Sequence, residues 1–486
     1  MKMRAASRLF SRCLASIILL STITVAQNAG VMALVAPQAT TRSGPITISG
    51  SGFGTKSSGY VLIGGQRAFT TTWTNKQVVA YVPESAPLGQ NAVEIVTGRV
   101  SIPMPGVNVE ARTTPQPTAQ GTVAWRFEVL ANYVSHRGDV APDGTAYFSD
   151  SSGFLYALTP QGALKWIYDS HGLGSEGPTV VGRDGTIYFG VSAPSGIHAV
   201  NPDGTLKWIF PATQSQGPIG GPGIGPDGNI YAVFDLPGPV GAVSLTPAGT
   251  LRWNTSGNPR VAEYGQVGRE LVFGGGNVYW TSTYYGDIYA FDVATGRQRF
   301  RVNVGSAGQA ATTKNGTVLV PTQLGPRLNA YSRAGALLWS FFGNEHNTTN
   351  DLTAPDVGRD GNIYIDRNLS ELYSLTPAPS TRWIVDSLLP QGPVPGPIVG
   401  PLNDIVLIGG QQTYGMPGLI QGFSTVDGAL LFEISIPKEP DGTCAVPYAR
   451  PRFTRSGNRA YIPAVQLCVV PQQYHSWLYA IDITSP

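Results

Sequence analysis

Three stretches of this chain gather side chains capable of acid–base or metal chemistry. DSHGLGSEGP (169–178) carries Asp169, His171 and Glu176; GNEHNTTNDL (343–352) carries Glu345, His346 and Asp351; NYVSHRGD (132–139) carries His136, Arg137 and Asp139. Imidazoles beside carboxylates suit a polar or metal-assisted pocket. Irregular exposed loops also collect polar residues with no site intended, and both readings stay open. The candidate ligand-binding set is His171, Glu176, His346 and Asp351. Spacing adds little, because the sequence has no His-x-x-x-His, no cysteine pair at ligand spacing and no calcium loop of alternating carboxylates. Strings such as Gly50-Ser51-Gly52 fall in β turns rather than ahead of a helix, so they do not read as a nucleophile elbow. No catalytic, metal or cofactor-binding residue is assigned, and no cofactor is expected.

The elements that must position these loops are strands. In 486 residues there are 60 glycines and 39 prolines beside an ordinary 42% hydrophobic content, which implies many turns between short strands and more than one domain. Lys2, Arg4, Arg8 and Arg12 precede an apolar run from Leu14 to Ala26, and Thr24-Val25-Ala26 offers small residues for cleavage. Residues 1–26 therefore read as a signal peptide, with an uncleaved anchor as the alternative. Removing these four cations takes the net charge from +2 to −2, which leaves no basic excess for nucleic acid. The expected location is secreted, periplasmic or cell-surface, with no integral membrane span after cleavage. Cys444 and Cys468 are then an even pair in an oxidising compartment, and one disulfide is expected, two buried thiols being the alternative.

Self-similarity governs the region from residue 121 onward. GRDGTIYFG followed by IHAVNPDGTLKWIF (182–210) recurs as APDGTAYFS with LYALTPQGALKWIY, as GPDGNIYAV with AVSLTPAGTLRW, and more loosely as GRDGNIYID with LYSLTPAPSTRW. A closing aromatic falls at Trp125, Trp166, Trp208, Trp253, Phe300, Trp339, Trp383 and Phe432, spaced by 39 to 49 residues. Four β segments per copy at that period mean propeller blades. The copy after Glu433 lacks its own aromatic strand, and TVAWRF (122–127) precedes the first complete copy without blade partners. Pairing of the two predicts closure of the ring by both ends of the segment and eight blades, with seven as the alternative. In this arrangement the Asp-Gly and Pro-Asp-Gly turns occupy one face, and the polar loops above occupy the other.

Ahead of the repeats, ITISGSGFG, YVLIGG, VVAYVP and AVEIVT alternate apolar and polar residues between turn residues, as in a small β-sandwich. The order SGSGFG, IGG, Trp73 in TTWTN, then VPESAPLG resembles an IPT/TIG domain over residues 31–110, an immunoglobulin-like fold. Trp73 is expected to be buried rather than to bind a ligand. Residues 111–120 (ARTTPQPTAQ) form a linker. The copies from 121 to 486 resemble the PQQ-like repeat; Ala290, Asp292, Thr295 and Gly296, with Phe300 in the Trp place, match its motif, while most other copies depart from it.

The fold expected is thus all-β, a sandwich followed by a propeller. The resemblance implies blade-docking aromatics, not a bound quinone. The adjacent cysteines and the assignable calcium site of quinone enzymes are missing from the sequence. The leading functional expectation is an exported, non-enzymatic binding or scaffold protein whose partner is a protein or a glycan. The alternative is an enzyme, either a PQQ-dependent dehydrogenase or a polysaccharide-acting propeller.

Overall fold

A computed structural model describes residues 33–42, 44–54, 59–83, 86–98, 100–111, 121–130, 134, 136–174, 177–193, 195–211, 218–234, 241–255, 270–282, 286–322, 327–342, 352–367, 371–387, 389, 396–411, 416–437, 444–466 and 475–483. All regular elements among them are strands, and no helix there is long and apolar enough to cross a membrane. The chain divides into two units, 1–111 and 112–486.

In the first unit, alternation puts Ile46, Ile48, Val61, Ile63, Val78, Ala80, Val93 and Ile95 into one core. Strand Gln66–Trp73 pairs with Gly59–Ile63 on one side and with Gln77–Tyr81 on the other, the second ladder bulging between Thr70 and Thr72. The strand passes from one ladder to the other between Ala68 and Phe69. Trp73 packs part-buried against the core, and its indole N–H donates to Phe53 O at 3.0 Å. The ring is half-buried where burial was expected.

In the second unit the described residues form eight sheets, here called blades 1 to 8, with strands A to D in sheet order. Blade 1 comprises Asp139–Val140, Ala146–Ser149, Phe154–Leu158 and Leu164–Asp169. Blades 2 to 7 span residues 173–211, 218–254, 272–303, 311–342, 356–386 and 398–435. Blade 8 combines Ala445–Pro447, Arg452–Phe453, Arg459–Gln466 and His475–Asp482 with Thr122–Leu130 as its outermost strand, in register from His475↔Leu130 to Asp482↔Thr122. The strand around Trp125 therefore closes the last sheet.

Burial explains the sequence of each strand. Strands B and C lie between neighbouring sheets, so every residue of Ile230–Phe234 and Gly241–Leu245 is buried. Strand D is an outer edge, and Leu164–Asp169 alternates between exposed and half-buried positions. Each closing aromatic sits opposite a small residue of strand C: Trp166 opposite Ala157, Trp208 opposite Ala199, Trp383 opposite Ser374, Phe432 opposite Gly422 and Trp125 opposite Ala480. A bulge follows one residue later in each.

The indole then reaches out of its own sheet. Trp125, Trp166 and Trp208 donate to the carbonyls of Pro160, Pro202 and Pro247 in the C–D turn of the next blade at 2.8 to 3.0 Å. The glycine of that turn has positive φ, and a Cβ on Gly204 would lie 2.8 Å from the Trp166 ring. Two constraints thus select glycine there, the left-handed backbone and the ring pressed against it. Trp253, Phe300 and Trp383 meet Gly296, Gly335 and Gly428 in the same way. Trp339 packs against the core around Ile363 and Tyr373, and Phe432 against the blade 8 core.

Candidate functional site

The Asp-Gly turns are occupied by their own backbone. Asp143, Asp184 and Asp203 accept from the N–H and hydroxyl of Thr145, Thr186 and Thr205, and Asp360 accepts from Asn362. Lys207 adds an ion pair to Asp184 at 2.9 Å, and together these bonds hold the Asp184 carboxyl below its ordinary range despite partial desolvation. Such turns shape hairpins rather than await a ligand.

The opposite face is where the candidate residues were expected. His171 is exposed, adopts φ 54°, and is held by its neighbour: its N–H donates to Asp169 Oδ1 at 2.7 Å and its Nδ1 lies 3.1 Å from Asp169 Oδ2. Glu176, His346 and Asp351 lie outside the described residues, so the rim grouping of these four is neither assembled nor taken apart here. Cys468 also lies outside them, whereas Cys444 is fully buried in blade 8.

The third polar stretch leads to the axis. Strand A touches strand A of the next blade at most junctions, and Arg452–Phe453 of blade 8 touches Asp139–Val140 of blade 1, so the inner ring runs across the junction between the ends. Asp139 is buried there and ties three blades together. It accepts from Val140 N at 2.9 Å in its own strand, from Val181 N of blade 2 at 2.9 Å and from Arg452 Nε of blade 8 at 2.7 Å. Asp356 holds the corresponding place in blade 6 and accepts from Val399 N of blade 7 at 2.8 Å. Desolvation raises the Asp356 carboxyl, opposed by the nearby Arg450 and Arg137.

Arginines reach across between non-adjacent blades. Arg450 of blade 8 donates to Pro355 O at 2.9 Å and Pro397 O at 2.8 Å, just ahead of blades 6 and 7. Arg137, just ahead of blade 1, places Nε 3.3 Å from Glu270 Oε1 beside blade 4. Glu270 is fixed through its backbone by Gln309, which accepts from its N–H at 3.1 Å and donates to its carbonyl at 2.8 Å.

Arg137, Asp139, Glu270 and Arg452 line a cavity of about 290 Å3. Its charged lining is Arg137, Arg183 and Arg452 against Asp139 and Glu270, and its apolar lining includes Pro178, Ile224, Leu271 and Phe273. Both carboxylates are already committed to arginine partners. Among the described residues no group of three or more His, Cys, Asp or Glu is placed to hold a metal ion. The site offers guanidinium N–H donors and an apolar wall.

Sequence reasoning pointed to Arg137 and Asp139 through their loop but missed Arg183, Glu270 and Arg452. One signal was available. Four residues before the turn residue at Asp143, Asp184, Asp227, Asn315, Asp360 and Ser456 stand Asp139, Val180, Gly223, Ala311, Asp356 and Arg452. Small or aliphatic residues suit this inner position, and the three charged exceptions are the axial anchors. A second buried cluster was also missed: in blade 6, Arg367 pairs with Glu371 at 2.9 Å, both about 3% exposed, next to fully buried Asp366.

Residues 114–280 and 236–384 match the family model described as outer membrane protein assembly factor BamB, and residues 35–114 match that of the IPT/TIG domain. The C-terminal WD40 domain of Sif2 shares 10% identity at a TM-score of 0.53, covering 75% of this chain and 99% of that one. The Dos1 propeller (10% identity, TM-score 0.49, 75% and 96% covered) and BamB from Moraxella catarrhalis (13%, 0.43, 75% and 100%) are more distant in shape. At these identities the likeness concerns the fold alone. No curated protein matches the chain by sequence.

Proposed function

We propose that this chain, which belongs to the family of the outer membrane protein assembly factor BamB, is an exported, non-enzymatic binding protein of the cell envelope whose propeller presents its axial mouth to a protein partner. The observation that carries this reading is the state of the cavity's acids. A polysaccharide-cleaving propeller needs two carboxyl groups free to exchange protons across the scissile bond. Asp139 instead accepts three hydrogen bonds and Glu270 faces Arg137, an arrangement that commits both carboxyl groups to holding the ring together. What remains for a visitor is a set of donors and an apolar wall, which suits recognition rather than turnover.

The supporting assignments are cleavage before Gln27 and a Cys444–Cys468 disulfide. Intact mass of the exported protein with and without reductant and alkylation reads both; two free thiols in the unreduced fold would remove the disulfide.

Site-specific photo-crosslinking in the source cells tests the function. A photoreactive residue at Val181 in the axis should yield a discrete protein adduct, and one at Asp203 on the turn face should not. Equal adducts at both positions would sink the axial reading. Calcium- and PQQ-dependent dye reduction at about 1 per second or faster, or release of sugar from a polysaccharide, would replace the binding protein by an enzyme.

A further inference from the structure

The charge balance of the axial cavity names the chemistry of its occupant. Three guanidiniums face two carboxylates, which leaves one positive charge in excess. Arg452 engages Asp139 through Nε, and Arg137 approaches Glu270 through Nε, so both terminal amino groups of each arginine remain available among the described residues. Arg183 is exposed at the cavity wall and has no partner among the described residues. A guanidinium presents paired parallel N–H donors that match the two oxygens of a carboxylate. A cation is disfavoured by the three arginines. A doubly charged phosphate would exceed the single uncompensated charge.

Size and walls narrow the choice further. About 290 Å3 is at the small end of ligand pockets, near the lower bound of roughly 300 Å3 for drug-sized molecules. This admits one or two residues of a peptide and excludes an oligosaccharide. Pro178, Ile224, Leu271 and Phe273 offer an apolar surface beside the donors. From these observations we infer that the axial cavity is a receptor for a peptide carboxylate flanked by an aliphatic side chain, the carboxylate bound by Arg183 and Arg452. The carboxylate comes either from a chain end or from an acidic side chain. The inference rests on the binding-protein reading and adds the ligand's chemistry to it.

Three fluorescein-labelled peptides separate the possibilities by polarisation titration: one ending in Val-Leu with a free carboxylate, the same peptide amidated, and an amidated peptide carrying Glu-Leu. Tighter binding of either acid-bearing peptide by at least tenfold over the neutral one supports the inference, and which of the two binds identifies the source. Arg183→Gln should weaken that binding at least fivefold with an unchanged melting temperature, because Arg183 bonds to nothing among the described residues. Arg452→Lys keeps the charge on Asp139 but loses the fork, and should weaken binding similarly. Equal affinity for charged and neutral peptides, no binding by any peptide at 1 mM, or inorganic phosphate competing as well as the acid-bearing peptide overturns it. If the peptides fail while the Val181 crosslink persists, the ligand chemistry is wrong and the platform reading stands; if enzymatic turnover appears, the platform reading itself falls.

Discussion

The outer and inner rings of the propeller hold the same blades together by opposite means. Outside, one device repeats: an aromatic on strand D, opposite a small residue of its own sheet, docks on the glycine and carbonyl of the next blade's turn. Inside, no single device serves every junction, and the aspartate bridge recurs only at Asp139 and Asp356 among the described residues. Asp139 bridges blades 8, 1 and 2, Asp356 bridges blades 6 and 7, and Thr312 donates to Phe273 O between blades 5 and 4. Repetition marks what every blade needs. Departure from it marks where the molecule has been specialised.

The sharpest way to test that division is at the closing strand, where both rings meet. Removal of residues through 120 should leave a folded propeller, whereas removal through 130 deletes Thr122–Leu130 and should lower the melting temperature by more than about 10 °C or prevent folding. Identical cooperative melts for the two truncations would mean that the outer ring does not need this strand. Next in size, Trp166→Ala should cost about 2–3 kcal/mol by denaturant titration, since the ring is half-buried, and Gly204→Val a comparable amount through its clash with the same ring. A smaller effect at Gly204 than at an exposed loop glycine would refute the docking role.

The inner ring should be less costly to disturb and more consequential for binding. Asp139→Asn removes the charge facing Arg452, whose side chain is 41% exposed and can be rehydrated, so the loss should be about 1–2 kcal/mol. Single-blade departures also predict opposite pH effects. His198 takes the strand C position filled by Tyr156, Tyr289, Tyr373 and Tyr479 in other blades; burial pushes its imidazole down to about 4. It is neutral in the fold, so the unfolded chain gains the proton first. Its stability contribution is complete above about 6.5 and drains away as pH falls toward 4. His198→Tyr should flatten that acid limb in thermal melts.

Asp366 is the reverse case, its carboxyl raised well above the ordinary range by burial and by Glu371. The fold then binds a proton that the unfolded chain has released, and stability falls as pH rises from about 4. Asp366→Asn should leave stability unchanged or higher at neutral pH and remove that slope; a large loss would show that the carboxylate is paired as an anion. The smallest effect on stability belongs to the turn face, where Asp184→Ala should stay within about 1 kcal/mol.

The outer ring was legible in the sequence because its physics recurs: the ring and the small residue opposite appear in each copy, and the turn glycine in most of them. The partner of TVAWRF could be inferred because one copy lacked a strand and one strand lacked a copy. The axis was less legible. Arg452 and Asp139 stand 313 residues apart, and only the pairing of the ends brings them together. Glu270 closes an interblade segment of irregular length with no counterpart in other copies. Polarity alone drew attention to His171, whose partner proved to be its own neighbour Asp169.

The closing strand also sets a timetable. Val134 N reaches Ser476 Oγ at 3.1 Å across 342 positions of chain, next to the ladder joining Thr122–Leu130 to His475–Asp482. A ribosome must make every blade before the strand around Trp125 meets its mate. Until then that strand and the sheet awaiting it are both adhesive edges, in a propeller whose other blades form from local hairpins. Ring closure is therefore a single late event that commits the whole circle, and a chain interrupted before residue 475 would carry both edges unpaired, ready to pair with another copy's.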